Sequence, residues 1–401
     1  MKILYHQRTA SKTGQSVHIE ELVTAFEKLD HAVIMTKSAR DKVRKIGKQN
    51  KLISFIKKNI PLELYELAEL AYSLVEFWRL RRDLIQNKPH VLYQRYNLFT
   101  LSGLILKKIY GIPFFLEVNS PLLEERSKYN GLKLRRLARW TQEQAWRGAD
   151  MTFPVSEALA KYLRAAGVPD ERITVTHNGI NEDRFYKDFD RGAEKAKLGL
   201  ENRIVLGFSG FIHEWHRLDM ILDVMAQALH FPIHLIVVGD GTPRPQLEAK
   251  AKQLGLSDRL TFTGVVERKR MPAYISTFDI AIQPGVTAYA SPLKLFEYMA
   301  LGCAIVAPRS PSIEEILTND KDALLFRRDD CQSLAAQILK LCASEELRQK
   351  LGAQAKLTIL ERDYTWIGNA RRIAALVPKQ ASAVTQKPHA KYFPGIRPER
   401  R

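Results

Sequence analysis

Short apolar runs alternate with helix-patterned runs along this chain, in two series separated by one polar stretch. That alternation constrains the fold more than any single motif, because a strand–helix–strand unit lays its second strand parallel to the first. The first series reads as strand 2–5, a helix carrying Ile19, Leu22, Val23 and Phe26, and strand 31–35. It continues with helix 62–84, strand 90–95, helix 98–110, strand 113–118, a basic helix 132–147, strand 150–154, and a helix from 156 to near Gly167. Strand 173–176 and the turn His177-Asn178-Gly179 close it. Within helix 62–84, Leu64, Leu67, Ala68, Ala71, Leu74, Val75 and Trp78 recur at helical spacing, interrupted by Glu and Arg that rule out a membrane span. The second series runs strand 204–208, helix 218–229, strand 234–238, helix 245–254, strand 260–263, helix 271–278 and strand 280–284. Helix 291–302, strands 304–307 and 323–326, and helices 331–343, 346–360 and 366–376 follow. A chain of 401 residues is comfortable for two domains. The expectation is an α/β protein with two doubly wound domains facing a central cleft. Their bounds are 1–180 and 204–363, with a polar linker over 181–203 and a basic, proline-containing, disordered tail over 380–401.

One stretch of the second series carries more than packing. Ser291 to Gly302 reads SPLKLFEYMALG, with Ser291 as a cap, Pro292 at the first helical position and Gly302 as the left-handed stop. Leu293, Leu295, Phe296, Met299 and Ala300 cover most of its circumference, and Lys294, Glu297, Tyr298 and Leu301 share the rest. A helix starting at the carboxyl end of a strand favours an anion there. Lys294 and Glu297 are then either groups of a ligand site or a buried salt bridge. In the first series, Gly14 lies where a backbone could approach a ligand closely. Gln15 and His18, which open the following helix, could face the cleft, cap the helix or meet solvent.

Charge narrows the partners. Lys and Arg exceed Asp and Glu to give a formal net charge of +18, which suits an anionic partner: nucleic acid, a phospholipid surface or a phosphorylated substrate. No basic recognition helix or aromatic RNA-binding motif supports a specific nucleic acid. Lys37–Lys58 holds nine Lys or Arg against one acid, Asp41, with Ile46, Leu52, Ile53, Phe55 and Ile56 interleaved. That stretch either rests on anionic lipid headgroups or is a solvated loop and helix. Three cysteines without metal-ligand spacing predict a reducing compartment, no disulfide framework and no metal site. A strand beginning at Lys2 leaves no room for a signal peptide, so the expected location is the cytoplasm, with a peripheral contact on the inner face of the cell membrane.

The order of motifs resembles glycosyltransferase family 4 on the two-domain GT-B fold, over roughly residues 1–378. The matching pieces are Val155-Ser156-Glu157, His177-Asn178-Gly179-Ile180-Asn181 with Phe185, Phe208-Ser209-Gly210, Val238-Gly239-Asp240-Gly241, Leu260 to Val265, and Ser291 to Gly302. The resemblance implies Rossmann-like domains and transfer of a sugar from a nucleotide-diphosphate sugar, UDP- or GDP-linked, with retention at the anomeric carbon. It implies no cofactor and no required metal. The acceptor would be a glycan or a lipid-linked molecule of cell-surface polysaccharide or glycolipid synthesis. The alternative is a GT-B protein that binds a nucleotide sugar or glycan without turnover. The last helix, within 364–379, would cross back to the first domain.

Carried over by motif, Glu297 would accept hydrogen bonds from the ribose hydroxyls, and Lys294 would lie near the phosphates or the sugar. The backbone of Val265 would read the base edge. Gly210 and the start of the helix at Ser291, Pro292 and Leu293 would bind the donor, with the Gly14 loop approaching the diphosphate from the opposite domain. Three positions depart from the pattern. Tyr289 stands where the first motif glutamate is expected, and Phe211 where an arginine is common. His216 and Arg217 occupy the region of the family lysine, so the permanent charge falls to Arg217 or, with a one-residue slip, the role passes to His216. Asn119 stands where a cleft histidine is frequent, able to orient an acceptor hydroxyl but a poor base.

Overall fold

The computed structural model describes residues 1–8, 14–36 and 60–378; the basic stretch Lys37–Lys58 and the tail 380–401 lie outside them. Strands β1 (Lys2–His6), β2 (Ala32–Met35), β3 (Val91–Arg95), β4 (Phe114–Val118) and β5 (Met151–Pro154) form one parallel sheet in the order β2-β1-β3-β4-β5. Between them run α1 (Gly14–Lys28), α2 (Leu62–Asn87), α3 (Ser102–Tyr110) and α4 (Arg135–Gly148), and α5 (Glu157–Ala165) follows β5. Strands of β-branched and aromatic residues such as VLYQR and FFLEV are buried along their whole length, as a sheet covered on both faces requires.

The second sheet holds β6 (Ile204–Ser209), β7 (Ile233–Val238), β8 (Leu260–Phe262), β9 (Ile280–Ile282), β10 (Ala304–Pro308) and β11 (Leu324–Phe326), in the order β11-β10-β9-β6-β7-β8. Counted from β6, this is the Rossmann order, whose direction reverses between β6 and β9. Its helices are α6 (Leu218–Gln227), α7 (Arg244–Gln253), α8 (Met271–Ser276), α9 (Leu293–Ala300), α10 (Cys331–Ala343) and α11 (Glu345–Glu361). The architecture is the expected α/β one, two doubly wound parallel domains of GT-B type.

Three local expectations need correction. Residues 173–176 form no regular strand: Ile173 makes one bridge to Thr152, and the amides of Thr174 and Thr176 continue the contact to β5. The stretch 181–203 is more than a connector. It folds into two short helices, Glu182–Phe185 and Arg191–Ala196, and buries Phe185 and Leu200 in the second domain's core. There the Lys195 ammonium meets Asp279 at 2.6 Å, an ion pair that polar composition alone disguised as a linker. Finally, α9 is buried more completely than its sequence implied: Tyr298 turns inward, and its hydroxyl accepts from the Ser209 amide at 2.8 Å.

The chain crosses between the domains twice, at one place. Ile180 and Thr365 lie side by side as a parallel bridge, and a Cβ at Gly179 would overlap the Thr365 backbone, which is why the turn needs glycine there. After the second crossing, α12 (Trp366–Ala375) is capped by Thr365, whose hydroxyl accepts from the Gly368 amide. This helix packs on α1, with Trp366, Ala370 and Ile373 in the first domain's core. Among the described residues no helix is long and apolar enough to cross a membrane.

Candidate active site

The site is built on the start of α9, which follows β9 at the reversal point of the second sheet. Ser291 does not cap the helix, and Pro292 flanks it rather than opening it. The Ser291 hydroxyl accepts from the Asn178 amide at 3.2 Å, and its carbonyl accepts from the Asn178 side chain at 2.5 Å. The first amides of α9 therefore carry no side-chain cap. Uncapped amides at the positive end of a helix are what an anionic ligand would use. Gly302 does adopt the left-handed conformation, with φ 65°, that ends the element.

Lys294 and Glu297 keep an edge to solvent while protein surrounds them. The Lys294 Nζ lies 3.5 Å from the centroid of the Phe208 ring and has no hydrogen-bond partner among the described residues. Burial, resisted by the attraction of Glu297, brings its ammonium down to about 7. Burial likewise pushes the Glu297 carboxyl up to about 7, against the pull of Arg268, Lys294 and Arg184. Gly210, with φ 107°, sits where a Cβ would come within 3.7 Å of the Lys294 Cε and Nζ. A side chain at this position would lie against the cation, and the left-handed backbone there favours glycine.

Neither residue expected to add a second positive charge does so in this state. Arg217 adopts a left-handed backbone, and its guanidinium lies in salt bridges with Asp219 (3.2 Å) and Asp329 (3.6 Å). His216 packs against Phe208 at 5.1 Å, and its Nδ1 accepts from the His213 amide at 3.1 Å. Burial, then the charge of Lys294, hold its imidazole down at about 2, so it stays neutral. Neither charge state was readable from residue type alone.

The opposite wall comes from α1. A Cβ on Gly14 would lie 3.4 Å from Leu293, which brings the expected first-domain loop onto the start of α9. The Gln15 side chain lies outside the described residues. Glu21, 2 % exposed, accepts from Asn181 at 2.7 Å and from the guanidinium groups of Arg184 and Arg268. Arg268 also reaches Glu20 at 2.9 Å, so it spans the two domains beside Glu297. Val265 is 81 % exposed, three residues before Arg268.

A second line of polar groups crosses the interface. At the end of β4 the buried Glu117 accepts from Tyr5 (3.2 Å), Tyr93 (3.1 Å), Arg95 (2.5 Å) and Asn119 (2.5 Å), and pairs with His18 Nε2 at 3.1 Å. Burial would raise its carboxyl, but the charges of His18 and Arg95 and the hydrogen bonds of His18 and Asn119 hold it well below the usual range. His18 Nδ1 meets Asn178 Oδ1 at 2.7 Å, and Asn178 holds Ser291. Asn119 is thus joined to the α9 end through Glu117, His18 and Asn178, its amide spent on the carboxylate. Near the end of β1, Arg8 forks onto Glu76 at 2.5 and 2.6 Å, with His6 at 3.5 Å. Tyr289 reaches into the first domain, where its hydroxyl donates to Glu125 and its carbonyl accepts from Ser156 at 2.7 Å.

Of the residues singled out in the sequence, Glu297, Lys294, Gly210, His216, Ser291, Leu293 and Gly14 come together. Arg217 is tied to carboxylates, and Asn119 touches the group only through intermediaries. Glu21, Asn178, Arg184 and Arg268 were missed as site residues. Their partners lie more than a hundred positions away, and the one local signal was the Asn178-Gly179 turn. Among the described residues no cluster of three His, Cys, Asp or Glu side chains is arranged to hold a metal ion.

Comparison with known proteins adds the following. The model of the glycosyl transferases group 1 matches residues 190–358, and that of Glycosyltransferase Family 4 matches residues 12–184. An uncharacterized glycosyltransferase of Methanocaldococcus jannaschii is 23 % identical over 300 residues, 73 % of this chain and 76 % of that one. The 2-deoxystreptamine glucosyltransferase of Streptomyces kanamyceticus is 29 % identical over 236 residues, 55 % of this chain and 59 % of its own. The crystal structure of Anabaena HepE in complex with UDP superimposes with a TM-score of 0.71 at 18 % identity, covering 94 % of this chain and 99 % of that one.

Proposed function

Because the chain belongs to the group 1, family 4 glycosyltransferases, we infer that it moves a sugar from a UDP- or GDP-linked donor to a glycan or lipid-linked acceptor, with retention and without a required metal. The observation that carries this reading is the Lys294 ammonium, unpaired beside the uncapped start of α9. A leaving nucleoside diphosphate gains negative charge as its bond to the anomeric carbon breaks. A fixed cation and fixed amides stabilise that charge without reorganising. Glu297 takes the ribose hydroxyls, since a carboxylate accepts two hydrogen bonds at once. The acceptor oxygen bonds to the anomeric carbon on the face that the phosphate leaves, and its proton passes to the departing phosphate oxygen. Asn119, already engaged by Glu117, has no part in that proton transfer.

A melting panel with UDP, GDP, ADP and their sugars tests the reading, with UDP first because the similar Anabaena protein holds it. A true donor at a hundred times its dissociation constant adds about 2.7 kcal/mol. Glu297→Ala is expected to weaken nucleotide binding about a hundredfold through two lost charged hydrogen bonds. Transfer or donor hydrolysis by the wild type, lost in that variant, supports an enzyme. Tight binding with no turnover across donors and across glycan, lipid-linked and aminocyclitol acceptors identifies the non-catalytic alternative instead.

Proton linkage gives a further check. With the ammonium near 7 in the free protein, most Lys294 is neutral above that pH, and a bound diphosphate restores its proton. UDP binding should therefore take up protons between about pH 7.5 and 9, its Kd rising by close to tenfold per unit at the upper end. Calorimetry in two buffers of different ionisation enthalpy measures the uptake. Lys294→Met should abolish it; uptake unchanged in that variant would exclude Lys294 as its source.

A further inference from the structure

The site leaves the outer face of α2 unused. Leu64, Leu67, Leu74, Val75, Trp78 and Ile85 are all exposed, Leu74 by 57 % and Trp78 by 63 %. At 3.6 residues per turn they share one arc with Ala68 and Ala71, and the row runs about 30 Å along the helix. The opposite, buried face of α2 is unexpectedly polar: Glu66, Ser73, Glu76 and Asp83 lie there with Phe77, Leu80 and Leu84. The apolar arc of this helix therefore faces outward, and a patch of that size on a soluble surface marks a contact.

Charge selects the partner. Glu66 accepts from the amides of Lys133 and Leu134, Glu69 pairs with Arg126, and Glu76 pairs with Arg8. Asp83 pairs with Arg82 at 3.3 Å, and Glu63 lies at the first turn, where the helix dipole favours it. The arc itself carries Arg82, with Arg81 at its edge stacked 5.5 Å from the Trp78 ring and bonded to the Tyr110 hydroxyl. On α3, next to that tyrosine, Lys108 and Ile109 are exposed as well. A second copy of this chain, also at +18, would bring like charge against like. An anionic lipid surface brings the opposite sign, with each nearby cation contributing about 1 kcal/mol.

We propose that the outer face of α2 lies on an anionic lipid bilayer, its leucines and Trp78 at the acyl boundary and Arg81 and Arg82 at the headgroups. The contact rests on the transferase reading for its purpose alone, presenting the cleft to a lipid-linked acceptor. Flotation of the full chain with phosphatidylcholine vesicles, with and without phosphatidylglycerol, tests it. Binding should require the anionic lipid, fall with salt, and drop at least about tenfold in Leu74→Ser/Trp78→Ser. Both positions are exposed, so the double variant should melt like wild type and keep its nucleotide-induced shift. Wild-type binding by that variant would overturn the proposal, as would equal binding to neutral vesicles. A wild-type dimer by light scattering that the variant splits would overturn it too, in favour of a second copy. Vesicle binding by a protein that transfers no sugar would count against the proposed function and leave this surface intact.

Discussion

Lys294→Met should abolish most sugar transfer, by about a thousandfold in kcat, while the protein melts no lower than wild type. The two halves of that result are tied together. In the ligand-free molecule the Nζ has an aromatic face beside it and no acceptor among the described residues. A buried cation without a partner costs folding free energy, and its depressed ammonium reflects the same strain. Methionine fills a similar volume with no charge to bury, so the folded state loses nothing by the exchange. The reaction loses the fixed positive charge that meets the leaving phosphate. Steady-state transfer assays and a melting curve on one preparation make the measurement. A variant that melts several degrees lower and keeps its kcat would show that Lys294 serves packing instead.

Glu117→Ala should lower the melting transition of the first domain by about 10 °C, the equivalent of roughly 3–5 kcal/mol. Its carboxylate is 2 % exposed and gathers Arg95, His18, Tyr5, Tyr93 and Asn119. Removing it strands a buried guanidinium and an imidazole without the acceptor they share. The same group gives a pH signature. Its folded value lies below the unfolded one, so the unfolded chain binds the proton more readily through the acid range. The stabilisation is complete at neutral pH and is lost as pH falls below about 4. Asp183→Ala is the control, since its pair with Lys28 is exposed and should move the transition by less than about 1 kcal/mol. Calorimetric scans at pH 7 and in mild acid separate these outcomes.

Periodic and capped elements were legible in the sequence. Cys331–Ala343 was readable to the residue because Asp330 caps its first turn, and the sheet strands differ by one residue except β9, which ends two residues earlier than its sequence suggested. Long-range polar contacts were not legible. Nothing local to His18 announces that its two ring nitrogens meet Glu117 and Asn178, the latter 160 positions away. Ser291 looked like a helix cap, but the helix starts one residue later than its motif suggests, and its hydroxyl accepts from the Asn178 amide instead. The motif pattern over Phe211 to Arg217 drew notice to this loop but could not reveal that Asp219 and Asp329 occupy the guanidinium. In α2 the spacing of leucines gave the helix, yet periodicity says only that two faces differ. Which face turns inward was decided by partners elsewhere in the fold, Arg8, Arg126 and the amides at 133 and 134, that draw its acids inward.

The return of α12 to the first domain has a consequence for synthesis in the cell. Trp366, Ala370 and Ile373 complete a core whose other members, such as Tyr5, Tyr93 and Phe153, leave the ribosome long before them. The leading lobe cannot finish its packing while the chain is still being made, and waits with part of its interior uncovered until the second lobe has been translated. A stop near residue 363 would thus release a matured trailing lobe attached to an unfinished leading one. Supplying the missing helix as a separate peptide is the natural way to rescue it.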